Sequence, residues 1–294
     1  MSGLIMTYAL AVVQIIPGVV SQSAEIESSL ITVERMMYYG NEIPTEISTP
    51  ATVPPPTWPE KGDITMKCVS LRYRSDLPRA LHGVNLTISG GEKIGIIGRT
   101  GAGKSTIISA LFQLFPLEEG SIVIDNINIA DLDRQSLRSR LAIIPQDPTL
   151  FDGTVRSNLD PAEEYADAVL YNALRMASLT RIHLDHRVLP HGANLSLGEK
   201  QLLALARALV RDPRILVCDE ATSAVDQHTD EAVQQTLLTA MKGRTVICIA
   251  HRLQTIMRYD RICMIDQGRV VDFQTPRVLF DTNTQFQQMC RLTV

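Results

Sequence analysis

Gly98-Arg99-Thr100-Gly101-Ala102-Gly103-Lys104-Ser105 fits the pattern G-x-x-x-x-G-K-[ST]. Three glycines let consecutive backbone N–H groups turn inward on a phosphate. Lys104 can then reach the β and γ phosphates of a nucleoside triphosphate, and the Ser105 hydroxyl can ligate Mg²⁺. The flanks suit that reading. Lys93–Ile97 is a short apolar run of strand character, and Ser105–Phe112, with Thr106 in its first turn, reads as a helix with an apolar face. The bland alternative is a Gly-rich turn that happens to carry a lysine, and it predicts no such strand, loop and helix.

Composition bounds the remaining chain. At 294 residues and 45% hydrophobic content, it is long and apolar enough to bury one or two cores. A formal charge of −4, with no local Lys/Arg cluster, argues against a nucleic-acid partner. The five cysteines (Cys68, Cys218, Cys248, Cys263, Cys290) show no C-x-x-C spacing and read as buried small hydrophobes in a reducing compartment.

Residues 3–20 carry no charge, and the first charged side chain is Glu25. The run reaches the minimum length of a membrane span but contains Gln14 and Pro17; a helix packed on a soluble domain is the alternative. No basic residue precedes it, unlike a signal peptide. Residues 22–39 continue as a more polar helix, with Ile26, Leu30, Val33 and Met37 three or four apart. Six prolines between Pro44 and Pro59 predict an extended spacer and a domain boundary.

Beyond the spacer, strands are expected at 64–73, 80–88, 93–97 and 122–124, followed by polar turns and a helix-rich stretch over 155–181. Strands at 215–218, 245–250 and 261–265, with a helix at 229–241 and a helical tail, complete an α/β pattern with an inserted helical part.

Ile215-Leu216-Val217-Cys218 ends in Asp219-Glu220, placing two carboxylates at the carboxyl end of a buried strand, where ligands of open α/β sheets collect. Beside a phosphate loop, Asp219 is suited to hold Mg²⁺ and Glu220 to deprotonate an attacking water. An isolated Asp-Glu pair would mark only the wet end of a strand. His251 follows the strand 245–250 in the same way, so its neutral imidazole can hydrogen-bond a γ-phosphate. Gln146 lies between Pro145 and Pro148, and alone is a loop amide. Leu195-Ser196-Leu197-Gly198-Glu199 precedes a helical run to Val210. Ser196 and Glu199 form a capping box that needs no ligand, yet Ser196 and the Gly198 N–H also stand where a helix N-terminus favours an anion.

In this order, Tyr73, G-R-T-G-A-G-K-S, Gln146, L-S-L-G-E, I-L-V-C-D-E, S-A-V-D at 223–226 and His251 resemble the nucleotide-binding domain of ATP-binding cassette (ABC) transporters, over about residues 60–290. P-x-x-W-P before the first strand makes the chain most similar to the C-terminal cassette of a multidrug-resistance-associated exporter. The resemblance implies a P-loop NTPase fold: a mixed core sheet, an antiparallel β subdomain and a helical subdomain at about 150–210, within a cassette of residues 61–294. Residues 1–43 would be the end of the last transmembrane helix and its exit, and 44–60 a linker.

The resemblance also implies roles. Residues 98–106 would bind ATP, with Mg²⁺ on Ser105, Gln146 and Asp219. Tyr73 would stack on adenine, and Gln146 would couple the metal and γ-phosphate to transmembrane domains. Asp226 would lie between two cassettes, and Ser196 and Gly198 would act on ATP held by a second cassette. ATP hydrolysis would power export across a membrane, with the cassette on its cytoplasmic side.

Two departures stand out. L-S-L-G-E replaces the family's L-S-G-G-Q, putting Leu197 for Gly and Glu199 for Gln. One membrane span also cannot enclose a translocation path. Two other functions therefore stay open: a truncated half-transporter acting as an ATP-binding regulatory or assembly module, and a soluble cassette ATPase unconnected with transport.

Overall fold

The computed structural model of the protein describes residues 2–43, 52–219, 227–249 and 256–291. The chain forms two compact units, Met1–Thr49 and Pro50–Val294.

The first unit is one helix, α1 (Ser2–Asn41), that runs through Pro17. Pro17 is accommodated within it, because a proline forfeits one backbone bond to the preceding turn without cancelling the others. Its most apolar 18-residue window has a mean hydropathy of 2.0. At 1.5 Å per residue the 40 residues extend about 60 Å, twice the thickness of a bilayer core. Thr7, Ser29 and Thr32 return their hydroxyls to carbonyls four residues back, so short polar groups are satisfied within the helix itself.

The second unit is built on two sheets. β1 (Ile64–Leu71), β2 (Leu81–Ile88), β4 (Glu119–Ile124) and β5 (Ile127–Asn128) pair antiparallel in the order β2-β1-β4-β5. The main sheet joins β3 (Lys93–Ile97), β6 (Leu141–Ile144), β9 (Ile215–Asp219), β10 (Thr245–Ile249), β11 (Arg261–Asp266) and β12 (Arg269–Gln274), in the order β12-β11-β3-β10-β9-β6. All its pairs are parallel except β11 with β12. Continuous apolar runs such as I-L-V-C are what a strand covered on both faces requires. Because side chains alternate along a strand, Ile215 and Val217 enter one core while Leu216 and Cys218 enter the other.

The first core packs α2 (Lys104–Leu111), through Ile107 and Leu111, against both sheets. The second holds the helical part: α4 (Val155–Leu159), α5 (Asp167–Met176) and α6 (Leu197–Val210), with Leu170, Leu174, Leu203 and Leu205 buried. Each fully buried Leu or Ile contributes about 1.5–3 kcal/mol. α3 (Arg134–Arg140), α7 (Gln227–Ala240), α8 (Pro276–Thr282) and α9 (Thr284–Arg291) are further α-helices, and β7 (Gly153–Thr154) pairs with β8 (Arg187–Val188).

Several elements differ from the sequence expectations. The stretch read as polar turns contains α3 and the edge strand β6, whose four residues are too few for periodicity to register. The helix-rich stretch over 155–181 is two helices. The buried Asp160 carboxylate breaks it by accepting the N–H groups of Glu164 and Tyr165.

Within the expected spacer, residues 44–51 lie outside the described residues, while Trp58 is buried at 3% exposure and donates its Nε1–H to the Ile124 carbonyl at 3.1 Å. The Asp125 carboxylate then gathers the N–H groups of Lys61, Gly62 and Asp63, aiming the chain into β1. Cys218, Cys248 and Cys263 are buried, Cys290 is half-buried and Cys68 is exposed. Cys68 has a φ of 50° at a register shift in β1, and that irregularity gives it a position the alternating pattern did not predict.

Candidate nucleotide site

The loop between β3 and α2 turns at Gly103, whose φ of 104° an L side chain would resist. Gly98, at the end of β3, is half-buried; Arg99, Thr100 and Gly101 are exposed, and Ala102 is buried. Ala102 donates its N–H to the Arg99 carbonyl at 3.1 Å and accepts that of Gly268 at 2.9 Å, so the turn joining β11 and β12 is bonded to the loop. Lys104 folds back over it, Nζ donating to the carbonyls of Gly98 at 3.0 Å and Arg99 at 3.1 Å. An ammonium group therefore sits in the hollow of the loop at the start of α2, where the helix dipole also favours an anion.

Ser105 is exposed, and its Oγ donates to Asp219 Oδ1 at 3.3 Å across 114 residues of sequence. Sheet register brings them together. Ile249 of β10 is level with Ile96 of β3 on one side and with Asp219 of β9 on the other, so the carboxyl ends of three strands share one edge. Ile144 of β6 pairs with Cys218, which puts the exposed Gln146, two residues later, beyond that same edge.

A hydroxyl and a carboxylate oxygen 3.3 Å apart are hard donors spaced like neighbouring ligands of an octahedral ion with bonds of about 2.1 Å, which fits Mg²⁺. Beneath Asp219, the Cys218 thiol is pushed well above its ordinary range by its hydrogen bond with Cys248, then by burial, so this part of the strand stays uncharged. Glu220, Asp226 and His251 lie outside the described residues.

Thr106 is buried in the first turn of α2, its hydroxyl 2.9 Å from that of Tyr73. The Tyr73 ring also meets Phe115 edge to face, centroids 4.8 Å apart. Motif spacing gave no sign of this pairing, since Phe115 belongs to no recognised pattern.

Ser196 caps α6. Its Oγ accepts the Glu199 N–H at 3.2 Å, and Glu199 Oε2 accepts both the Ser196 N–H and hydroxyl at 2.8 Å, completing the expected capping box. Gly198 is half-buried in the first turn. Among the described residues, no hydrogen bond joins Ser196 to the phosphate loop of its own chain.

Residues 81–223 match the family model for the ABC transporter. Over 98% of its length the chain is 47% identical to the ABC-type transporter cicA of Emericella nidulans, and over 98% it is 43% identical to the ABC transporter C family MRP4 of Zea mays. It covers 22% and 20% of those proteins, about a fifth of the curated relatives it matches. A bacterial Atm1-family ABC exporter solved with ATP bound superposes with a TM-score of 0.81 at 33% identity, over 92% of this chain and 48% of that one. With a P-loop NTPase cassette fold and relatives named as ABC transporters, one of them of the C family, the chain belongs to the ABC transporter family.

Proposed function

We propose that residues 61–294 are the ATP-hydrolysing cassette of a membrane exporter. Residues 1–43 are the end of its last transmembrane helix and the exit from the bilayer, and 44–60 the linker, with the cassette on the cytoplasmic side. The observation that carries this reading is the Ser105–Asp219 pair, 3.3 Å apart at the foot of a loop whose hollow holds the Lys104 ammonium. Substrate phosphates would draw Lys104 off the carbonyls of Gly98 and Arg99, and the N–H groups of residues 99–106 would take the remaining phosphate oxygens. Ser105, Asp219 and Gln146 would hold Mg²⁺, which would supply charge neutralisation to the β and γ phosphates. Tyr73 supplies the adenine platform.

Glu220 accepts the proton of the attacking water as its oxygen bonds the γ-phosphorus and the bond to ADP breaks, while His251 donates to the γ-phosphate. Ser196 and Gly198 act on ATP in a second cassette; in its own chain the Ser196 hydroxyl is engaged with Glu199 in the cap of α6. Closure of the two cassettes drives the transmembrane domains.

The test uses the full chain in detergent. Lys104→Ala should lose ATP binding, and Glu220→Gln should bind ATP without turnover. ATPase activity should rise with the square of protein concentration. Parental turnover in Glu220→Gln would remove the assigned base, and strictly linear activity would remove the paired site.

A further inference from the structure

Tyr73 stands in a loop, residues 72–79, closed at its base by the Ala80 N–H donating to the Leu71 carbonyl at 2.8 Å. Both shoulders of that loop are tied to one short segment. Arg72 reaches Glu118 at 3.3 Å from the near side. From the far side, Arg79 donates to Glu118 at 2.8 Å and to Glu119 at 3.0 and 3.3 Å. Glu118 is itself fastened, its N–H donating to the Ser70 carbonyl at 2.9 Å. Three residues before Glu118, the same segment carries Phe115, the ring against which Tyr73 packs. The segment 115–119 thus meets the loop at three residues: Arg72 and Arg79 at its shoulders, and Tyr73 beside Arg72.

We propose that Glu118, with Arg72, Arg79 and Glu119, is a positioning clamp that holds Tyr73 where the base of a bound nucleotide must stack. The proposal rests on the reading of Tyr73 as the adenine platform. Two guanidinium groups and two carboxylates cancel in charge, so the cluster adds little net field at the phosphates, and its effect is one of place. The ion pairs are exposed, and each alone stabilises a fold little. Their effect on binding is separate: a platform braced beforehand spares the ligand the entropy of ordering an eight-residue loop. Mutual hydrogen bonding favours the charged form of each partner: Arg79 is raised, first by Glu118, and Glu118 is lowered, first by Arg79.

The experiment compares two probes, Mg·ATP and inorganic triphosphate with Mg²⁺, binding to the full chain in detergent. Inorganic triphosphate occupies the phosphate loop but has no base to stack. Glu118→Ala and Arg79→Ala should weaken ATP binding about three- to tenfold and leave triphosphate binding within about twofold. Arg79→Lys, which keeps the charge, should recover part of the loss. Hydrolysis should show a raised KM for ATP with kcat little changed.

Equal weakening of both probes would assign the cluster to general stability and overturn the proposal. Unaltered ATP affinity in Glu118→Ala, beside a weakened Tyr73→Ala, would overturn the clamp alone. Unaltered ATP affinity in Tyr73→Ala would overturn the base platform and the clamp with it, leaving the phosphate-loop reading to Lys104→Ala.

Discussion

Gly268 donates its backbone N–H to the carbonyl of Ala102 at 2.9 Å, so a hairpin turn at residue 268 braces a phosphate loop 166 residues earlier. Gly268 has a φ of 73°, and a Cβ there would stand 2.5 Å from the Ala80 carbonyl oxygen. Gly268→Ala should therefore cost about 1–3 kcal/mol of stability and weaken ATP binding through the displaced loop. Thermal unfolding with a nucleotide titration checks both, and an unchanged melting temperature would refute the strain.

The Ser105–Asp219 pair makes a separate prediction about metal dependence. Asp219→Asn should raise the Mg²⁺ concentration for half-maximal hydrolysis about tenfold or more, since losing even an outer-shell partner of a metal ligand has that effect. Magnesium titration at saturating ATP is the measurement. A curve superimposable on the parental one would take Asp219 out of the metal site.

Trp58 anchors the stretch that leads into β1. Trp58→Ala empties a site buried to 3% exposure and leaves the Ile124 carbonyl without its donor, so it should cost about 3–5 kcal/mol. Urea unfolding should be followed by far-UV circular dichroism, because Trp58 is the chain's single tryptophan. A loss under about 1 kcal/mol would mean that the stretch merely rests on the domain.

Thiol chemistry should divide the cysteines by environment. At pH 8, a maleimide should label Cys68 in the folded protein, whereas Cys218, Cys248 and Cys263 should react only after unfolding. Burial pushes the Cys263 thiol up to about 12 from its ordinary 9.0. Because the folded value is the higher one, its stabilising contribution is complete below about pH 9 and is lost as pH rises toward 12. Peptide mapping after timed labelling and alkaline unfolding curves test these two statements. Fast labelling of Cys263 in the native chain would contradict both.

Legibility from sequence followed the range of the interactions involved. The loop 98–105, the capping box of Ser196 and Glu199, and the run ending at Asp219 are each specified within a handful of residues, by glycine conformation, cap chemistry and apolar continuity. Edge strand β6 was hidden because four residues carry no period, and the anchoring of Trp58 because its partner, Ile124, is 66 residues away.

The sequence by itself determined that a triphosphate-binding loop, a carboxylate pair and a capped anion-favouring helix exist in one chain, because each is a local backbone device. Only the tertiary structure decided that the loop and the first of those carboxylates, Asp219, share a place. The register Ile96–Ile249–Asp219 across three parallel strands sets Asp219 beside Ser105. The pairing of Arg72 and Arg79 with Glu118 and Glu119 fastens Tyr73 to the segment following α2. Neither juxtaposition has a local cause: strand register depends on which apolar faces are buried together, and ion pairs across tens of residues form only once that burial has brought them within reach.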